Sequence, residues 1–381
     1  MNDQISSSQR WWILNPRFWL ILFFLFAFLV AINLLGSSFK AVGKDMAAQL
    51  IASVTNPFAG LSVGILATVL VQSSSVTTAT IVGLVGSGQI PLSIAVPMIM
   101  GANIGTTITN TLVSLGHITR SDEFRRAFAG ATVHDFFNLL TVLFVFPMEL
   151  ATGFLQKSST HIAQWLTPEF GGKMPNPLKD AVKSASKQIQ EILSNVGIEG
   201  GWMALALFLI ALTLIVFSLM FITRNMRVLM ASQIEKMLND VLCRSGLLGL
   251  IIGIIITVAV QSSSITTSLL IPMFGSGILQ LEAAFPIMVG ANIGTTITAL
   301  MAAIVAGEAG LIVALVHLNF NLVATAMFFP IRRIRAIPIA CANSLAAAAV
   351  QNRLLVIAYV GIVFVLVPLL GVFVFKFLGD I

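Results

Sequence analysis

Two stretches decide how this chain folds: "VQSSSVTTATIVGLVGSG", Val71 to Gly88, and "VQSSSITTSLLIPMFGSG", Val260 to Gly277. Each sets one glutamine and three serines into a run otherwise apolar enough for a bilayer. They are Gln72 with Ser73, Ser74 and Ser75, and Gln261 with Ser262, Ser263 and Ser264. Both belong to a longer duplication. Gln72–Thr109 aligns with Gln261–Thr298 at a constant offset of 189 residues without a gap, with 21 identities in 38 positions. The identities fall mostly on polar residues and glycines, so chance likeness of apolar sequence does not account for them. The match reaches back through Gly60, Gly64 and Thr68 to Gly249, Gly253 and Thr257. After a six-residue shift it resumes as "HDFFNLLTVLFVFP" from His134 against "HLNFNLVATAMFFP" from His317. Copies of roughly 80 to 90 residues are too long and too few for a solenoid and look like the repeats of secondary transporters.

The composition agrees with a membrane setting. Of 381 residues, 57% are hydrophobic and 9% charged, against about 25% charged in soluble domains. The net charge of +6 comes from basic residues flanking apolar runs, as on the cytoplasmic side of membrane helices. No basic tract or aromatic-basic ladder marks a nucleic-acid surface. Cys243 and Cys341 lie far apart, and four scattered histidines make no metal cluster.

Basic residues also orient the chain. Arg10 and Arg17 place residues 1–16 inside, as a cytoplasmic N-terminus, and 17–36 as the first transmembrane helix. Repeat 1 covers 56–155. Residues 156–200, polar and including "GGKMPNP", read as an extracytoplasmic loop with at most one short helix. A linking helix over 201–223 ends at Arg224 and Arg227, followed by a cytoplasmic linker over 224–244. Repeat 2 covers 245–335, and 336–381 holds one or more C-terminal helices. Arg120, Arg125 and Arg126 read as inside, whereas the matching "AGEAG" turn near Glu308 has no Lys or Arg and reads as outside. Arg332, Arg333 and Arg335 return the chain inside. The expectation is therefore an all-α polytopic membrane protein of two inverted-topology repeats.

Within each repeat two features interrupt the apolar sequence. The arms around the first QSSS, Pro57–Val71 and Val76–Val85, have 15 and 10 residues before the GSG turn. Neither crosses a hydrocarbon core of about 30 Å at about 1.5 Å per residue, so a re-entrant hairpin with QSSS at its tip is expected. In GANIGTT, Gly101 and Gly105 flank Asn103, and Gly290 and Gly294 flank Asn292. Glycine permits turns that a helix interior forbids, which predicts a broken transmembrane helix in each repeat. Half-helix N-termini would face an anion, and Thr, Ser and Gln oxygens suit Na⁺. Asp135 is an intramembrane carboxylate and by default functional, although its repeat partner is Leu318. His134 and His317 match each other and read as structural. A Ser–His–Asp hydrolase does not fit: His134 and Asp135 diverge by about 100° on a helix, and there is no G-x-S-x-G elbow. The reading is thus of a non-enzyme with no cofactor.

QSSS followed by P-x-x-M-GANIGT and "DEFRRAFAGATVHDFFN" resembles the type II sodium–phosphate cotransporters, over roughly Asn56–Phe154 and Arg244–Arg335. The resemblance implies sodium-coupled import of inorganic phosphate across a plasma membrane, with sodium as a cotransported ligand. It implies a site built from both QSSS tips, with Gln261, Ser262, Thr295 and Thr298 as sodium ligands. Asp135 matches the residue that marks electrogenic members, which carry divalent phosphate. The 156–200 segment lacks Cys and N-x-[ST] sequons, as in bacterial-type members. The further sodium candidates are Ser264, Gln72, Asn103, Thr106, Asn292 and Asp135. The phosphate candidates are Ser73, Ser74, Ser75, Ser263, Thr107 and Thr296. The division of individual Ser and Thr oxygens between sodium and phosphate stays open at this stage. So does a sodium-coupled carrier of another oxyanion, sulfate or a carboxylate. Arg120 reads as a topological charge.

Overall fold

The computed structural model describes residues 15–42, 56–170, 177–241 and 246–378. Arg10, Cys243, Arg244 and most of "GGKMPNP" lie outside the described residues. Every regular element among the described residues is helical. In chain order they are α1 (Pro16–Val42), α2 (Pro57–Val71), α3 (Ser74–Gly86), α4 (Leu92–Gly105) and α5 (Ile108–Ser114). There follow α6 (Ser121–Thr152), α7 (Phe154–Phe170), α8 (Pro177–Asn195) and α9 (Gly200–Val241). The second half holds α10 (Gly246–Val260), α11 (Ser263–Ser268), α12 (Ile271–Gly275) and α13 (Leu281–Phe328). Last come α14 (Arg332–Gln351), α15 (Leu354–Gly361) and α16 (Val367–Leu378), the last two joined by a π turn. Seven helical stretches are long and apolar enough to cross a membrane.

The elements of the two halves recur in register. α2 and α10 end one residue before Gln72 and Gln261, which adopt left-handed backbone with φ of 56° and 57°. The next residues, Ser73 and Ser262, share an extended conformation at φ −153°. Each accepts an N-cap hydrogen bond, from Val76 N and Ile265 N respectively, both 3.3 Å long. Gly88 and Gly277, closing the GSG turns, both have φ 78°. Between QSSS and the GSG turn the second copy departs in one place: its helix splits into α11 and α12 ahead of Pro272, whose nitrogen has no hydrogen to donate.

Only the first GANIGTT helix is interrupted as expected. α13 runs without interruption through Gly290–Thr298. In the first half only Thr106 and Thr107 separate α4 from α5, and both keep right-handed helical backbone. Ile108 N and Thr109 N, at the start of α5, make no backbone hydrogen bond among the described residues, whereas α13 has no such start. The glycines serve close approach instead. A Cβ on Gly101 would overlap the Leu61 carbonyl of α2, and one on Gly290 the Leu250 carbonyl of α10. The break in α13 lies at Gly307, with φ 78° and ψ −167°, inside the "AGEAG" stretch.

One further expectation is corrected. Residues 156–200 contain most of α7 and all of α8, helices of 17 and 19 residues, in place of a loop with one short helix. Glu149 starts α7 by accepting from Leu155 N at 2.6 Å and Gln156 N at 3.1 Å, which satisfies donors a helix start leaves free. The segment 224–244 is helical as far as Val241, a continuation of α9, because no Gly or Pro intervenes before Gly246.

One apolar core gathers α1, α3, α4 and the later part of α13. A second packs α6 of the first half against α10 to α13 of the second. Phe137 on α6 is its hinge pin, 5.8 Å from Phe285 and 5.5 Å from Phe328 between ring centroids. The halves thus share a core.

Candidate functional site

The two QSSS segments meet. Ser75 Oγ donates to the Gln261 carbonyl at 3.1 Å, and Ser264 Oγ donates to the Thr106 carbonyl at 3.3 Å. Deeper in, Asn110 Nδ2 donates to Thr267 Oγ1 at 2.8 Å, and Asn110 Oδ1 accepts from Ser268 Oγ at 2.9 Å. A cavity of 640 Å³ opens against the tips, lined by Gln72, Ser73, Ser75, Gln261 and Ser262. Its opposite wall is α9, from Val216 to Val228.

The two tips differ in how their oxygens are used. In the second half, Gln261 Oε1, Ser263 Oγ, Thr295 Oγ1 and Thr298 Oγ1 are buried without any hydrogen-bond partner. Thr295, Thr298 and Met301 follow at i, i+3 spacing on one face of α13, and Gln261 Nε2 lies 3.9 Å from Met301 Sδ. In the first half Gln72, Thr106 and Thr109, the counterparts of three of these, are paired. Thr109 Oγ1 donates to Gln72 Oε1 at 3.3 Å, and Thr106 Oγ1 donates back to Ala102 O at 2.8 Å. Unpartnered buried oxygens cost free energy, about 1–3 kcal/mol each. Each is an oxygen free to accept from a donor or a cation.

The remaining sequence candidates divide. Ser74 is buried beside the first tip. Thr107 and Thr296 turn their hydroxyls to their own helices, at Ile104 O and Ile293 O. Asn103 and Asn292 enter a relay between the halves. His134 Nε2 lies 2.6 Å from Asn292 Oδ1, Asn292 Nδ2 donates to Asn138 Oδ1 at 2.8 Å, and Asn138 Nδ2 donates to Asn103 O at 2.8 Å. The Asn103 carbonyl can only accept, so it fixes both amide orientations and requires the proton on His134 Nε2. Sequence symmetry offers a second relay through His317, Asn103, Asn321 and Asn292. It is not made: Asn321 Oδ1 has no partner among the described residues, Asn103 Nδ2 donates to Ile99 O and Asn321 Nδ2 donates to His317 O.

Asp135 is 1% exposed and pairs with no basic residue. Its Oδ2 accepts from Tyr359 Oη at 2.8 Å and from Thr111 Oγ1 at 3.4 Å, while Oδ1 has no partner. Adjacent His134 and Asp135 therefore serve different neighbours, and no Ser–His–Asp chain forms. Tyr359 was not foreseen, although it is the only tyrosine in the chain. Arg224, which also lines the cavity, had been read only as a topological charge. Arg120 lies away from the site, bound to Glu123 at 2.7 Å. Arg126 explains the RRAFAG stretch: its guanidinium caps α12 by donating to Phe274 O and Gly275 O. Gly130 leaves room for the Phe274 ring.

Comparison with known proteins gives one consistent result. A family model described as Na+/Pi-cotransporter matches residues 27–165 and 214–367. Sodium-dependent phosphate transport protein 2A of Ovis aries is 32% identical over 427 residues, covering 92% of this chain and 66% of the relative. Sodium-dependent phosphate transport protein 2B of Homo sapiens is 32% identical over 444 residues, covering 93% of this chain and 64% of the relative. The chain therefore spans just under two thirds of these relatives' length. No solved structure matches the chain significantly.

Proposed function

This chain belongs to the Na+/Pi-cotransporter family, and on that premise we propose that it imports inorganic phosphate together with sodium by alternating access. The observation that carries the reading is the contrast between the tips. Four buried oxygens at Gln261, Ser263, Thr295 and Thr298 lack donors, while Gln72 and Thr106 are paired. Sodium satisfies such a set. Ser262 contributes beside it, and Ser73, Ser75 and Ser262 face the cavity from which phosphate would arrive. Burying a phosphate dianion alone is prohibitive. Sodium ions bound next to it offset that cost, so each ligand is occluded only with the others. Asp135, with its free Oδ1, takes one additional sodium and makes the cycle electrogenic.

The two halves enter the membrane as inverted repeats, each with a re-entrant hairpin, and the N-terminus is cytoplasmic. The relay supports alternating access. One of two sequence-equivalent hydrogen-bond chains is made and the other is left open, as a two-state element requires. In the opposite-facing state His317 and Asn321 pair with Asn103 while His134 releases Asn292.

The test is sodium-gradient-driven uptake of radiolabelled phosphate into proteoliposomes, with sulfate and succinate as competitors. Uptake driven by sodium and not by potassium is expected. Uptake indifferent to sodium overturns the reading, and strong competition by sulfate assigns the site to another oxyanion.

A further inference from the structure

The cavity that reaches both QSSS tips carries one formal charge among its lining residues, and it is Arg224. The other polar groups on its wall are neutral: Gln72, Ser73, Ser75, Thr223, Gln261 and Ser262. No carboxylate lines it. Arg224 makes no ion pair among the described residues. Its level in the fold is fixed by its neighbour. Asn225 Oδ1 accepts from Arg17 Nη1 at 3.4 Å, at the first turn of α1. Phe24 and Phe221 stack at 4.7 Å one to two turns further along the same pair of helices. Arg224 thus stands at the end of the membrane span where α1 begins, and the QSSS tips lie inward of it along the cavity. By the distribution of basic residues this end is cytoplasmic.

We propose that Arg224 is an anion-docking residue at the inner mouth of the transport pathway, holding phosphate between the QSSS site and the cytoplasm. The inference rests on the transport reading above and adds a residue to it. A guanidinium presents a planar fork of donors that matches phosphate oxygens two at a time. Apolar side chains, Val216, Leu219, Met220, Val228 and Ile265, line the cavity beside the exposed guanidinium, which is its one charged group. An arginine kept there only to orient α9 would be replaceable by any basic residue and would not touch phosphate affinity.

The experiment uses full-length protein in proteoliposomes of known orientation, with Cys243 and Cys341 replaced by serine. Half-saturation for phosphate is measured separately at each face, together with sodium activation and maximal rate. Arg224→Gln is expected to raise half-saturation at the inner face roughly tenfold, leaving the outer face and sodium activation unchanged. Arg224→Lys should recover part of it. Arg224→Cys should be rescued by a thiosulfonate that attaches an ammonium group and not by one that attaches a sulfonate. Unchanged inner-face half-saturation in Arg224→Gln, a loss confined to maximal rate, or equal rescue by both reagents overturns the proposal. Failure of the parent protein to take up phosphate with sodium overturns the transport reading, and this inference with it. Normal parent uptake with an indifferent Arg224→Gln overturns this inference alone.

Discussion

At the scale of single residues, Gln72 and Gln261 hold the most information. They are the two non-glycine residues with positive φ among those described, in a region that costs an L-residue roughly 1–2 kcal/mol. Glycine would relieve that strain, so the amide side chain itself must be needed there. Gln261→Gly is expected to leave stability within about 1 kcal/mol of the parent, since relief of strain is offset by a freer unfolded chain. Sodium activation should weaken at least tenfold, as roughly one charge-assisted contact is lost. Thermal unfolding in detergent and the sodium dependence of uptake check both halves of this prediction, and unchanged sodium activation refutes it. The recurrence of QSSS made these glutamines legible in sequence. Their backbone was not, because glutamine does not announce a left-handed turn as glycine or asparagine does. Tyr359 was hidden for another reason. It meets Asp135 across 224 residues of chain, from a helix outside both repeats, and no periodicity links the two positions.

At the scale of elements, the helix ends around QSSS were readable from length and polarity, and α2 has the expected bounds of Pro57 and Val71. The second GANIGTT misled because glycine serves two purposes. It allows unusual backbone, and it also admits a neighbouring backbone where a Cβ would not fit. Gly101 and Gly290 do the second, against Leu61 and Leu250. Only the partner helix distinguishes the two uses, and a sequence does not display partners. The asparagines between these glycines give the element its own test. Asn138→Ala removes two bonds from the relay that is made, whereas Asn321→Ala removes two from the relay left open. Each bond is worth about 1 kcal/mol, or roughly a fivefold shift in a two-state population. A single cysteine at Thr223, facing the cavity, reports the population through labelling by an impermeant thiol reagent. Labelling should fall in Asn138→Ala and hold or rise in Asn321→Ala. The same response in both variants refutes the two-state assignment.

At the scale of the whole molecule, duplication has left two halves that resemble each other in backbone and differ in chemistry. Asp135 is the clearest difference, since Leu318 stands at its counterpart. A carboxylate on one side only stands apart from the duplicated QSSS tips, and the additional sodium proposed above is assigned to it. Asp135→Gly is expected to keep sodium-driven phosphate uptake while the current evoked by phosphate falls toward zero, recorded on proteoliposomes adsorbed to a solid-supported membrane. Undiminished charge per phosphate refutes the role given to Asp135.

The bonds that join the halves carry a last consequence. Ser75 needs Gln261, His134 needs Asn292, Asn110 needs Thr267, and Arg126 caps the helix before Gly277. A polypeptide made of one half alone would bury these groups without partners. It could complete them only against a second copy lying the other way up. On the inverted topology proposed above, separate halves would need those same contacts to hold two oppositely inserted chains together.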